Sequence, residues 1–206
     1  MMLLLPETDP RALDAARKCL LDGGVLALAT ETVYGLLTRW DCPEARERLY
    51  AMKHRPAEKR LQMLAPSLEA AVKAGVESSP ALEAIARRFW PGPLTVVAPG
   101  RLGQDTIGLR IPRHPFLLRL MEAAGCVCAA TSANLSGTPP AIRLEDALAG
   151  LASPPDLALD GGVITITGGT ASTVVSLAAH PPALLRQGAV SLAEILQALP
   201  PSSQRP

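Results

Sequence analysis

Five short polar stretches interrupt an otherwise apolar chain of 206 residues, and they hold most of the side chains able to do chemistry. Thr30-Glu31-Thr32-Val33-Tyr34-Gly35 brings two hydroxyls, a carboxylate and a phenol into six residues. That is a dense hydrogen-bonding inventory, although a capped turn would use the same residue types. Lys53-His54-Arg55, followed by Lys59 and Arg60, gathers point charges and guanidinium forks. Such a set suits a polyphosphate, and equally a solvated helix end whose cations face the dipole. In Thr106-Ile107-Gly108-Leu109-Arg110-Ile111-Pro112-Arg113-His114, Arg110 alternates with apolar neighbours. Strand geometry puts it on one face with Thr106 and Gly108, and a mostly buried guanidinium there must meet an anion. A structural carboxylate and a substrate carboxylate or phosphate both satisfy that demand. Thr131-Ser132-Ala133-Asn134-Leu135-Ser136-Gly137 is small and polar, suited to close approach of a ligand or to ordinary Asx and Ser turns. Phe89-Trp90-Pro91-Gly92-Pro93-Leu94-Thr95 reads as a rigid turn packed by Trp90, with no direct chemistry of its own.

Absent signatures narrow the field. There is no G-x-x-x-x-G-K-[ST] loop, no G-x-G-x-x-G, no H-E-x-x-H and no G-x-S-x-G elbow. Cys126 and Cys128 form a single C-x-C, and Cys19 and Cys42 stand alone, so buried thiols are expected rather than a zinc site or a disulfide framework. No resident metal is expected. A formal net charge of +1 excludes a strongly basic nucleic-acid coat, while leaving room for a local basic groove. Aromatic residues make up only 3% of the chain, too few for a base-stacking platform. No apolar run is long enough to cross a bilayer, and the start lacks a basic segment and a small-residue cleavage site. The chain is expected to be cytoplasmic.

The elements that must position these residues follow from breakers and periodicity. Asp9 as N-cap and Pro10 at the first helical position open a helix that Gly23-Gly24 stops. Further helices are predicted from Pro43 to the Arg55-Pro56 step, over 68–74, from Ser79-Pro80 to Trp90-Pro91, and over 114–124, 144–151 and 191–199. Strands are predicted over 25–29, 61–65, 94–98, 106–111, 127–131 and 173–177, with a Gly-rich turn between the third and fourth. Residues 200–206 read as a frayed tail. Helices and strands interleave throughout, so the expected class is α/β with a largely covered, mixed sheet in a single domain over 1–206.

Taken in order, the quoted motifs, together with Ser172-Thr173-Val174-Val175 and Leu184-Leu185-Arg186-Gln187-Gly188-Ala189, resemble the YrdC/TsaC family of threonylcarbamoyl-AMP synthases across roughly residues 10–198. The resemblance implies a twisted open mixed sheet with flanking helices around a large basic cavity. It also implies that L-threonine, bicarbonate or CO2, and ATP give L-threonylcarbamoyl-AMP and pyrophosphate, with Mg2+ carried by the triphosphate. A separate transferase complex would then use the product to form threonylcarbamoyladenosine in tRNA.

By the same resemblance, Thr32, Arg110 and Ser172 would contact L-threonine. Lys53, Arg55, Lys59, Thr106, Ser132, Asn134 and Arg186 would contact ATP. No protein nucleophile is implied, and Lys53 and Arg55 would act electrostatically. The sequence departs from the family pattern at Arg60, where a proline is usual, and at Leu64, where some members carry a histidine. It departs also at Ala29, often proline, and at Ala171, often glutamate. Longer relatives have an additional C-terminal domain, which is not expected here. The alternative is a module of the same fold that binds double-stranded RNA or tRNA weakly without synthase activity. A carbamoyl-transfer role like that of hydrogenase-maturation proteins fits poorly, because those carry zinc fingers and this sequence has no C-x-x-C pair.

Overall fold

A computed structural model describes residues 2–101, 105–135, 137–165 and 170–200. Part of the expected Gly-rich turn, Ser136 of the fifth polar stretch, and the expected tail beyond Pro200 lie outside the described residues. In chain order the elements are β1 (Leu3–Pro6), α1 (Ala12–Leu21), β2 (Leu26–Ala29), β3 (Tyr34–Arg39), α2 (Pro43–Met52), β4 (Gln62–Leu64), α3 (Leu68–Lys73), α4 (Pro80–Phe89) and β5 (Leu94–Ala98). They continue with β6 (Ile107–Arg110), α5 (Pro115–Ala124), β7 (Cys128–Ser132), α6 (Leu144–Ala149), β8 (Leu157–Asp160), β9 (Thr173–Ser176), β10 (Ala183–Arg186) and α7 (Leu192–Ala198). The strands form one sheet in the order β1-β8-β2-β3-β7-β4-β6-β5-β9-β10. Its pairing is mixed: β4/β6 and β5/β9 run parallel, whereas β2/β3, β3/β7, β4/β7 and β5/β6 run antiparallel.

Every helix and strand predicted from the sequence is present, and four strands were not predicted. Two of them, β1 and β10, lie at the sheet edges and are only partly covered. β8 follows Pro154-Pro155, and β3 begins inside the polar stretch at Tyr34-Gly35. β1 and β8 pair with each other across the chain, and β3 and β10 pair with the strands just before them, so sheet pairing overrides a weak local pattern. Asp9 also lies two residues farther ahead of the helix than expected. Its carboxylate accepts from the Arg11 N–H at 2.8 Å, and the helix itself begins at Ala12. α4 begins as predicted, with Ser79 Oγ accepting from the Leu82 N–H at 3.2 Å and Pro80 in the first turn.

Burial of alternate strand residues decides where a site can lie. α1 and α5 pack Ala16, Leu20, Phe116 and Leu120 against Leu26, Leu28, Leu37 and Cys128. α3, α4 and α7 pack Ala71, Leu82, Ile85 and Ile195 against Met63, Val96, Leu109 and Val175. The residues between those strand positions are Gln62, Thr95, Val97, Gly108, Arg110 and Val174, and all of them line an open hollow. Successive side chains on a strand point to opposite faces, so the residues of β4, β6, β5 and β9 that alternate with the helix-anchoring ones are turned toward the hollow.

The far wall of the hollow is fixed by a close approach. Thr173 Oγ1 donates to Val190 O at 2.7 Å and accepts from the N–H groups of Gly188 and Val190 at 3.0 Å. A Cβ on Gly188 would sit 2.4 Å from Ala171 O and 2.4 Å from Thr173 N, which leaves no room for a side chain. Gly188→Ala is therefore expected to lower the urea midpoint by the equivalent of roughly 1–3 kcal/mol at unchanged m value. A midpoint within error of the parent would show that the segment after β10 does not clamp β9.

Candidate functional site

The hollow has a volume of about 520 Å³, within the range of small-molecule sites. Strand ends and the segments beyond them supply its walls: Thr32 and Val33 between β2 and β3, Arg110 at the end of β6, Ser132 at the end of β7, Ser172 before β9 and Arg186 at the end of β10. Arg55, Arg60, Arg110 and Arg186 contribute guanidinium groups, and no carboxylate, thiol or imidazole is among the described lining residues. A second hollow of about 380 Å³ adjoins it through Arg60, Leu61 and Thr106 and is bounded by Trp40, Arg46 and Tyr50.

Of the residues singled out from the sequence, Thr32, Arg55, Thr106, Arg110, Ser132, Asn134, Ser172 and Arg186 all line this one hollow. Lys53 stands immediately behind its wall, buried. Its Nζ donates to Thr131 Oγ1 at 3.0 Å, to Asn134 Oδ1 at 3.4 Å and, closely, to the Ser132 carbonyl. Lys59 is exposed and is not among the lining residues. Its carbonyl accepts from Arg55 Nε at 2.6 Å, while Arg55 Nη2 donates to Arg60 O at 2.9 Å. Arg55 thereby ties down the connection to β4. Arg60 completes the tie through Asp105, with a separation of 2.6 Å.

Arg110 meets its anion inside the protein. Nη2 lies 2.8 Å from Glu31 Oε1, with both side chains 4% exposed. Both Nη atoms also donate to Thr32 Oγ1 at 3.0 Å, and Nε donates to Gly92 O at 3.3 Å. Glu31 Oε1 accepts in addition from the Arg113 N–H at 2.9 Å. Both anions foreseen for Arg110 are thus compatible with its position: a structural carboxylate behind it and an open hollow in front. The phenol of Tyr34 turns away from the hollow and donates to Gly162 O at 2.7 Å.

Sequence reasoning missed Gln62 and Thr95 as lining residues, whereas Arg60, grouped from the sequence with Lys53, Arg55 and Lys59, does line the hollow. Thr95 lies in the stretch to which no direct chemistry was assigned, yet it faces the hollow with Val97 two residues on. The period-2 pattern of β5 was the available signal, and the turn chemistry just before it obscured that signal. Gly108 leaves the floor open: a Cβ there would make only ordinary contacts, 3.7 Å to Thr95 Cγ2 and 3.8 Å to Gln62 Cβ. Among the described residues no group of three or more His, Cys, Asp or Glu could hold a metal ion.

The charges are held at some cost. Burial, reinforced by the Arg55 and Lys59 charges, pulls the Lys53 ammonium down to about 8. Burial first, and the Arg110 charge second, lowers Arg186; burial also lowers Arg55. Each of these groups would gain from an anion in the hollow.

A model of the Sua5_yciO_yrdC family, described as telomere recombination, matches residues 18–188. The chain belongs to the Sua5/YciO/YrdC family. It is 36% identical over 182 residues to the threonylcarbamoyl-AMP synthase of Pyrococcus abyssi, covering 84% of this chain and 53% of that one. It is 32% identical over 200 residues to the synthase of Bacillus subtilis, covering 93% and 57% respectively. The crystal structure of P. abyssi Sua5 complexed with L-threonine superposes with a TM-score of 0.86 at 32% identity, over 96% of this chain and 60% of that one. The chain thus spans about half the length of the curated relatives it matches. The α/β class and twisted open mixed sheet expected from the sequence are those of this Sua5/YciO/YrdC chain.

The depressed Lys53 value has a sign that can be measured. Between pH 8 and the ordinary lysine value of 10.5 the unfolded chain holds a proton that the folded chain has shed. Stability contributed through Lys53 therefore rises with pH across that window. Relative to Lys53→Met, the parent protein is expected to gain on the order of 2 kcal/mol from pH 8 to 10.5 in denaturant titrations. Parallel pH profiles would show that Lys53 keeps an ordinary proton affinity.

Proposed function

We propose that this chain forms L-threonylcarbamoyl-AMP and pyrophosphate from L-threonine, bicarbonate or CO2, and ATP. The observation that carries this reading is the composition of the hollow: four guanidinium groups and several hydroxyls, with no carboxylate, thiol or imidazole among its described lining residues to activate a nucleophile. That inventory fits a reaction in which the substrates supply the reacting atoms and the protein aligns them and offsets charge. The Sua5/YciO/YrdC relatives named threonylcarbamoyl-AMP synthase support the same conclusion.

In this mechanism the amine of threonine attacks the carbon of CO2, forming the N–C bond and losing a proton. With bicarbonate the same attack also breaks a C–O bond, and the amine proton leaves with that oxygen as water. A carbamate oxygen then attacks the α-phosphorus, and the bond from that phosphorus to the pyrophosphate oxygen breaks. Thr32, Arg110 and Ser172 would hold threonine. Because Glu31 already balances Arg110, the guanidinium would receive the substrate carboxylate as a shared donor rather than as a lone charge. Arg55, Lys59, Thr106, Ser132, Asn134 and Arg186 would contact the nucleotide, and Lys53 would set the Ser132–Asn134 wall from behind. Alignment of three reactants is worth up to about 7–11 kcal/mol in principle, and preorganised cations act where charge accumulates on phosphate oxygens.

The lining offers hydroxyls but no carboxylate to a divalent cation, so it does not fit a resident Mg2+ site. Mg2+ would enter as part of the triphosphate substrate. Residues 1–206 would act as one YrdC-like domain. Among the described residues no helix is long and apolar enough to cross a membrane, and a cytoplasmic location fits the supply of ATP and tRNA. The product would pass to a tRNA threonylcarbamoyl transferase complex. The weak double-stranded RNA or tRNA reading gains no support, since the curated relatives compared are named as synthases.

The test is pyrophosphate release from purified protein, with each of threonine, bicarbonate and ATP omitted in turn. Release should require all three. Gly108→Leu, which fills the floor without a backbone clash, should fold normally and lower kcat/KM by about two orders of magnitude or more. Release independent of threonine, or a fully active Gly108→Leu, would contradict the proposal.

A further inference from the structure

Along the floor of the hollow Gln62, Thr95, Ser172 and Arg186 form an unbroken hydrogen-bonded row. Thr95 Oγ1 donates to Gln62 Oε1 at 3.2 Å and lies 2.9 Å from Ser172 Oγ, while Arg186 Nη2 donates to Ser172 Oγ at 3.1 Å. The two ends fix the direction of the row. A guanidinium only donates, and an amide oxygen only accepts. Thr95 gives its single proton to Gln62 and so accepts from Ser172. Ser172, its own proton spent on Thr95, accepts from Arg186. Neither hydroxyl keeps a proton for a ligand, but each keeps a free lone pair.

Gln62 sets this polarity. With its N–H groups turned toward Thr95 instead, the order would reverse and the Ser172 proton would be released into the hollow. As the amide stands, its nitrogen carries two N–H groups that bond to no described residue. The floor therefore shows lone pairs from Thr95 and Ser172 beside donors from Gln62, and all three residues line the hollow. That is the complement of a group that both gives and takes a hydrogen bond. An alcohol does both. A methylene or a carboxylate does not.

We infer that Gln62 is a specificity-determining residue that reads the side-chain hydroxyl of the amino-acid substrate. This rests on the amino-acid-activating reading above. A site built to hydrogen-bond a hydroxyl rejects the analogue that lacks it, because its own polar groups are left without partners. Thr95 and Ser172 are 4% and 2% exposed, so water is a poor substitute for the missing group. Thr95 acts as a positioning residue, holding Ser172 in the orientation that Gln62 dictates.

The test is calorimetric binding of L-threonine and of L-2-aminobutyrate, which lacks only the hydroxyl, to the whole chain, with pyrophosphate release followed in parallel. The parent should prefer threonine by about thirtyfold or more. Gln62→Leu and the isosteric Thr95→Val should each reduce that preference about tenfold, with ATP affinity held within about twofold. Thr95→Ser should retain the preference. If Gln62→Leu does not fold, the Thr95 pair decides the matter. No preference in the parent, an unchanged preference in the variants, or equal losses of threonine and ATP affinity would overturn the inference. A preference that shifts as expected in a protein releasing no pyrophosphate would leave this inference standing and sink the synthase reading. Threonine-dependent release with a preference indifferent to Gln62 and Thr95 would do the reverse.

Discussion

The architecture of the hollow depends on the neutralisation of one buried guanidinium. Arg110 is 3% exposed at the end of a central strand, where an unpaired charge could not persist. Glu31 pairs with it at 2.8 Å, and that contact draws the connection between β2 and β3 onto the end of β6. Thr32 follows onto the same guanidinium, the Arg113 N–H joins Glu31, and the Gly92 carbonyl accepts from Nε. Three connections distant in sequence are thereby held at one mouth. A buried pair of this kind contributes little net stability, because desolvation offsets most of the attraction, but removing either partner strands the other. Its value here is positional.

The rest of the site follows from a division of labour between the two faces of the strands. Met63, Val96, Leu109 and Val175 anchor α3, α4 and α7, and their alternate neighbours are left to face the hollow. The cations on that face sit uneasily. Burial lowers Arg55 and Arg186 and brings Lys53 to about 8, so part of the folding free energy is stored as unrelieved charge. An anionic nucleotide would relieve it. A site that pays for its ligand in advance in this way has little reorganisation left at the moment of reaction.

Much of this was legible in the sequence because particular residues break a pattern. Arg110 amid alternating apolar residues announced a buried cation, and the period of two placed it with Thr106 and Gly108 on the face they share. Ser79-Pro80 and Gly23-Gly24 bounded helices reliably because caps act locally. Glu31 was visible as a residue but not as the partner of Arg110, since a pairing across 79 positions leaves no local trace. Gln62 and Thr95 were missed for a related reason: their meaning lies in a hydrogen-bonded row that joins β4, β5 and the start of β9. Lys59 marks where local reasoning stops: resemblance alone assigns this charge beside a basic motif to the nucleotide, and its side chain is exposed outside the lining of the hollow.

The central claim is that nucleotide and amino acid occupy one hollow, side by side on the open face of β4, β6, β5 and β9. Its most direct test is a crystal structure of this chain grown with a non-hydrolysable ATP analogue and L-threonine. The account predicts both ligands within the cavity of about 520 Å³, with the amino acid between Arg110 and Ser172 and the phosphates toward Arg55 and Ser132. Nucleotide density in the neighbouring hollow beside Trp40 and Tyr50, with the arginine-lined cavity empty, would contradict it.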